Sequence, residues 1–307
     1  MRVQLRSLAA ALAVLFLMAA GSKARAADLL YVTLADDTIV RYDTTGNNGT
    51  AIAATAVVFA NTNLNVPFGL AFDASGNLHA ANLNDNTISK FDPAGAYLGN
   101  IATNLNSPYG LAFDSSGNLY AANSGDGTIS KFNSTGAFLS DINTNLNTPI
   151  GLAFDASGNL YAANFNDNTI SKFDPAGAYL SNITTNLSGP GGLAFDVSGN
   201  LYAANFNGNS ISKFDSTGAY LSNITLTLNS PLGLAFDSSG NLYVANVGGN
   251  TISKFDPSGT YLTSWSTGAA PRYLAFQPVP EPSTYALGAI ASGVMAFVAR
   301  RRRSRRT

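Results

Sequence analysis

The chain has 307 residues, one histidine and no cysteine; 11% of it is charged and 46% hydrophobic. Disulfides, thiolate metal sites and a cysteine nucleophile are excluded, and one histidine cannot build a histidine metal site. The net charge of −1 hides a polarised distribution, because residues 27–299 keep seven of the 17 basic residues and all 18 acidic ones, a net −11. A body this acidic repels phosphate backbones and anionic membrane surfaces, so no nucleic-acid partner is expected.

In chain order, Arg2 and Arg6 precede an apolar run from Leu8 to Ala20, and Ala24-Arg25-Ala26 supplies small residues at cleavage spacing. Residues 1–26 therefore read as a secretory signal peptide. Leu30-Tyr31-Val32, Thr38 to Asp43 and Ala54 to Phe59 read as three strands. From there a unit recurs: Pro67, Pro108, Pro149, Pro190 and Pro231 are 41 residues apart, and Pro271 follows 40 later.

Within a unit, Gly69 to Phe72 is a short apolar run and Asp73-Ala74-Ser75-Gly76-Asn77 a turn. Leu78 to Asn82 is a second strand, Thr87 to Phe91 a third and Ala96 to Ile101 a fourth, again separated by polar turns. Four antiparallel strands in about 40 residues describe a propeller blade. The chain starts with strands two to four of a unit and leaves the repeats with Pro271 to Phe276, which matches strand one. The predicted fold is all-β: a six-bladed β-propeller over residues 27–278, made of four-stranded blades. It is closed by a composite blade of three N-terminal strands plus one C-terminal strand, which removes free sheet edges at the seam.

The end of the chain, residues 279–307, has three parts: Val279-Pro280-Glu281-Pro282-Ser283, an apolar stretch over 285–299, and Arg300 to Arg303 with Arg305 and Arg306. As a helix the stretch reaches about 22 Å at ~1.5 Å per residue, a marginal span for a hydrocarbon core of ~30 Å. The arginines hold their end on the cytoplasmic side and leave the body outside.

The repeat resembles the NHL family in its Pro-x-Gly-Leu-Ala-Phe-Asp opening, its Gly-Asn before Leu-Tyr and its Ile-Ser-Lys-Phe-Asp, over residues 30–277. It departs at Asn82, Asn123, Asn164, Asn205 and Asn246, where the family often has Asp, and this lowers the charge on one rim. The tail resembles the PEP-CTERM sorting signal of Gram-negative bacteria. That resemblance implies recognition by an exosortase, transient membrane anchoring through the C-terminal segment alone, and delivery to the cell surface or an extracellular matrix. A plain C-terminal membrane anchor is the alternative.

Strand alternation places the Pro-x-Gly segments and the turns after strand two on one face, around a channel mouth. The expected ligand-binding face is there, with Asn82, Asn123, Asn164, Asn205 and Asn246 near the channel and Asp85, Asp126 and Asp167 farther out. The alternative for the asparagines is closure of local turns. Lys90, Lys131, Lys172, Lys213 and Lys254 are expected to snorkel or to pair with a neighbouring blade's Asp. His79 replaces a strand-two tyrosine and reads as a packed ring, while Trp265 and Arg272 read as seam residues. No catalytic residue, cofactor or metal is expected. Calcium stays open at the Asn/Asp loops, although Asn84-Asp85-Asn86 lacks the spacing and terminal Glu of a calcium loop. The function expected is a non-catalytic binding or scaffold domain, monomeric, that engages a secreted protein or an exopolysaccharide. The alternatives are an exported lactonase- or lyase-like enzyme and a purely structural matrix component.

Overall fold

Runs of β-branched and aromatic residues, broken by Asp-x-x-Gly turns, become strands throughout. The computed structural model describes residues 28–44 and 56–277. The signal peptide with Ala24 and Ala26, the motif from Val279 to Pro282 and the apolar stretch 285–299 lie outside the described residues. Among the described residues no helix is long and apolar enough to cross a membrane.

The chain enters with β1 (Leu29–Leu34), β2 (Ile39–Asp43) and β3 (Val57–Ala60). The first full blade holds β4 (Pro67–Phe72), β5 (Leu78–Asn82), β6 (Thr87–Phe91) and β7 (Tyr97–Ile101). Four more follow: β8 (Pro108–Phe113) to β11 (Phe138–Ile142), β12 (Pro149–Phe154) to β15 (Tyr179–Ile183), β16 (Pro190–Phe195) to β19 (Tyr220–Ile224), and β20 (Pro231–Phe236) to β23 (Tyr261–Ser266). The last strand is β24 (Pro271–Phe276). The strands form six four-stranded antiparallel sheets, and the first strands of successive blades pack side by side around the axis.

Local chemistry fixes each turn. Asp73 Oδ1 accepts from the backbone N–H groups of Ser75 and Asn77, both at 2.9 Å, and Gly76 takes φ 79°. Asp114, Asp155, Asp196 and Asp237 repeat the arrangement. The second strand of every full blade is buried along its whole length. Its two faces feed separate cores between neighbouring blades. In one, Tyr120, Ala122 and Ile129 pack on Leu152, Leu160, Ala162 and Phe173 of the next blade. An apolar residue on either face therefore finds a partner blade, which explains why these strands do not alternate with polar residues.

The seam is the predicted one. The sheet order β24-β1-β2-β3 joins the ends of the propeller, with Leu30 opposite Phe276, Tyr31 opposite Ala275 and Val32 opposite Leu274. Gln277 N–H donates to Leu29 O at 3.0 Å. Trp265 stands edge-on between Tyr42 of the composite blade and Tyr243 of the last full blade, at 5.8 and 6.1 Å. Removing residues 271–277 strips β1 of its partner and takes Leu274 out of that core. Calorimetry of the deletion should show the single cooperative melt lost; an unchanged melting temperature would contradict closure.

Candidate functional site

The inner strands lie so close that their third position tolerates no side chain in five blades. A Cβ on Gly110 would collide with the carbonyl of Ile150, and one on Gly233 would lie 2.7 Å from both Arg272 O and Tyr273 Cα. The sixth blade breaks this column with Tyr273, whose ring reaches to the opposite blade. Its hydroxyl donates to Ile150 O at 2.9 Å, and its N–H donates to Thr33 Oγ1 at 3.0 Å. Ile150, Leu232 and Tyr273 form a buried plug, covered by half-buried Phe68, Tyr109, Phe165, Phe206 and Val247. The channel is thus filled on its proline side, and the mouth is an apolar floor. Burial pushes the Tyr273 phenol well above its ordinary range, so it stays a neutral donor.

Arg272 brings the cation to this floor. Its guanidinium lies 4.6 Å over the Phe68 ring, and Nη1 donates to Pro67 O at 3.2 Å. Phe68 and Tyr109 stack at 4.0 Å with planes 34° apart. Arg272 also joins the composite blade to the first full one, as its seam role requires.

The five recurrent asparagines lie beneath the mouth and are at most 1% exposed. Asn164 Oδ1 accepts from Asn147 N–H at 3.2 Å, and Nδ2 donates to Thr169 Oγ1 at 2.9 Å and Ser171 Oγ at 2.8 Å. Asn82, Asn123, Asn205 and Asn246 make the same set of contacts. Each ties the loop arriving from the preceding blade to strands two and three of its own, a longer reach than closing a turn. Asp85, Asp126 and Asp167 are exposed on the rim. Asp85 accepts from Asn65 Nδ2, Asp126 from Thr128 Oγ1 and Asp167 from Asn147 Nδ2.

The same loops carry backbone strain. The residue before the first proline of each full blade is left-handed: Val66 at φ 52°, Ser107 at 50°, Thr148 at 52°, Gly189 at 59° and Ser230 at 48°. This conformation is costly for β-branched Val66 and Thr148. Side chains of the preceding blade hold four of these N–H groups: Asp37 takes Val66, Asn86 takes Ser107, Asn168 takes Gly189 and Asn209 takes Ser230, at 2.6–2.8 Å. Sequence reasoning missed Tyr273. The signal was present, because Pro271-Arg272-Tyr273 places a tyrosine where Gly69, Gly110, Gly151, Gly192 and Gly233 stand.

The opposite end of the blades corrects the lysine expectation. Each lysine pairs with the turn Asp of its own blade, not a neighbour's: Lys90 with Asp73 at 3.0 Å, Lys213 with Asp196 at 3.5 Å, and the other three at 3.7 Å. Four of them lie 4.9–5.0 Å over the strand-two tyrosine ring. His79 packs as predicted, edge-on to Phe113 at 5.1 Å. Its Nε2 meets Asp73 Oδ2 at 3.4 Å, and its buried Nδ1 has no hydrogen-bond partner. Burial, then repulsion from Lys90, lowers its pKa to about 4 against the pull of Asp73. Burial alone would raise Asp73, yet hydrogen bonds from Asn77 and Lys90 prevail and hold it well below the usual carboxylate range.

Family models match two segments: the NHL repeat over residues 228–255 and the PEP-CTERM protein-sorting motif over 278–303. The chain is a six-bladed β-propeller with one segment that matches the NHL repeat and a PEP-CTERM sorting motif. The motif points to export. No curated protein sequence matches the chain. Among solved structures, a chain of a nidogen/laminin complex is 20% identical, with 82% of this chain and 99% of that one covered at a TM-score of 0.70. A streptogramin B lyase is 19% identical, with 70% of each chain covered and a TM-score of 0.57. A virginiamycin B lyase from Staphylococcus aureus is 17% identical, with 69% of this chain and 77% of that one covered and a TM-score of 0.58. At these identities the likeness shows the fold alone.

Two variants test the polar contacts of this propeller. Asn164→Ala removes the acceptor of the Asn147 N–H and the donor shared by the Thr169 and Ser171 hydroxyls, and urea unfolding should show a loss of about 1–3 kcal/mol. The His79 proton binds the unfolded chain first, because the folded pKa of about 4 lies below the ordinary 6.5. Its stability contribution is therefore complete above pH ~6.5 and is lost as pH falls toward 4, by on the order of 3 kcal/mol. Melting temperature against pH should fall across that window in the parent and stay flatter in His79→Tyr.

Proposed function

We propose that this exported propeller is a non-catalytic binding domain whose mouth grips an extracellular polysaccharide. The observation that carries the reading is the meeting of half-buried Phe68, Tyr109, Phe165 and Phe206 with a rim of exposed Asp85, Asp126 and Asp167. A sugar ring has an apolar face of C–H groups and an edge of hydroxyls. Aromatic rings cover the first, and carboxylates and amides accept from the second. Asn82, Asn123, Asn164, Asn205 and Asn246 serve the site from below by fixing the loops. Residues Asp28 and Gln277, the first and last described, lie on the side opposite this mouth. The sorting motif supports an exosortase as processing partner and the cell surface or matrix of a Gram-negative bacterium as destination, with transient anchoring through the tail.

Two other readings remain from the sequence, a secreted protein as the ligand and lactonase- or lyase-like catalysis, and the fold shared with the nidogen/laminin chain and the lyases is compatible with both. Against catalysis, His79 sits at the turn end of its blade, held between Asp73 and Phe113, away from the mouth. Cosedimentation of the propeller with isolated exopolysaccharide tests the proposal. Phe165→Ser with Phe206→Ser should weaken binding roughly tenfold while leaving the melt intact. Undiminished binding overturns the assignment of the mouth, and release of shorter sugar fragments would place the protein with the enzymes.

A further inference from the structure

The outermost strands carry a feature that mouth binding does not use. β7, β11, β15 and β19 each have one sheet neighbour and a free outer edge. Their sequences are Tyr-Leu-Gly-Asn-Ile, Phe-Leu-Ser-Asp-Ile and, twice, Tyr-Leu-Ser-Asn-Ile. The leading aromatic is 38–40% exposed and the leucine after it 50–54%. Val57 and Val58 extend the pattern on β3, at 51% and 56%. The exposed pairs therefore run along five consecutive blades. Only β23 departs, with Tyr261 and Leu262 half-buried.

Natural sheet edges are ordinarily protected by lysine, proline or inward-pointing charge. Here the four edges hold one charge, Asp141, and its carboxylate already accepts from Ser130 Oγ at 2.7 Å. Each edge has a bulge at its leucine: Lys90 pairs with Gly99 and Phe91 with Tyr97, which leaves Leu98 between them unpaired. The bulge turns the strand away from unlimited sheet extension and presents two adjacent apolar side chains outward.

We propose that these rims join copies of the propeller side by side, in place of the monomer expected from the sequence, with the Tyr-Leu pair of one copy packed on that of a second. Two observations select a second copy as occupant. The edges are nearly identical, so any rim of one ring is complementary to any rim of another across a twofold axis. The charge distribution directs the contact sideways: from Val57 to Gln277 every aspartate except Asp141 sits in a turn on one of the two faces. Acidic faces repel each other, whereas the rims bring together edges with Asp141 as their one charge. Several rims per ring make the assembly multivalent, so weak single contacts add up.

The ring closes within residues 28–277, so the propeller can be studied without its tail. Sedimentation velocity over a concentration series, with no carbohydrate present, should show reversible assembly of the parent. Leu98→Lys/Leu139→Lys/Leu180→Lys/Leu221→Lys should weaken it roughly tenfold or more, as expected when two half-buried leucines leave one contact. If the fourfold variant loses its cooperative melt, Leu180→Lys/Leu221→Lys gives the same reading with a smaller shift. A parent that sediments as a monomer at every concentration, or assembly indifferent to the lysines, overturns the proposal.

Discussion

Everything in the ring depends on how closely six inner strands can approach one another. In five blades the absent Cβ lets one backbone rest on the next, and the sixth blade uses the remaining axial space for a ring and a hydroxyl. Closure by β24 on β1 then makes that crowding permanent, since no blade can drift outward without breaking a sheet. The buried second strands follow from the same geometry. Once the inner strands touch, the blades fan out with apolar surface between every pair.

Polar groups fall into two populations with different jobs. Those that recur in every blade are spent inside the protein: Asn164 and its equivalents brace loops, Asp73 and its equivalents shape turns, and the lysines cover tyrosine rings. Breaking the asparagine contacts leaves polar groups beneath the mouth with fewer partners, which costs more than the bond itself contributes. Among the groups that depart from the repeat, Arg272, Tyr273 and the Phe68 and Tyr109 pair meet at the proline-side mouth, whereas His79 departs at the opposite turn end and Trp265 in the seam. Repetition supports the scaffold, and the mouth is where several departures from it come together.

The blade plan and the seam were legible in the sequence because hydrophobic runs, turn residues and a constant period agree with one another. Asn164 shows where legibility ended. Its partners lie 17 residues upstream and seven downstream, across a loop whose path only the fold reveals. The same holds for the lysines. Strand pairing puts Lys172 beside Tyr161 and the turn of its own blade, a proximity that spacing alone does not separate from the next blade's turn. Phe165 and Phe206 read as loop residues, and their place over the plug depended on Tyr273, whose single departure from the glycine column carried more information than the five glycines together.

Tyr273 also has a bearing on how such a protein can change over time. A seam made by the two ends of the propeller does not register how many identical units lie between them, so duplicating or losing a stretch of 41 residues would leave its hydrogen bonds untouched. The tyrosine does register it. A seventh blade would widen the axis and leave the hydroxyl short of its carbonyl, and a fifth-order ring would have no room for the phenol. One residue thus acts as a gauge of circumference, holding at six a repeat array that unequal recombination could otherwise lengthen or shorten.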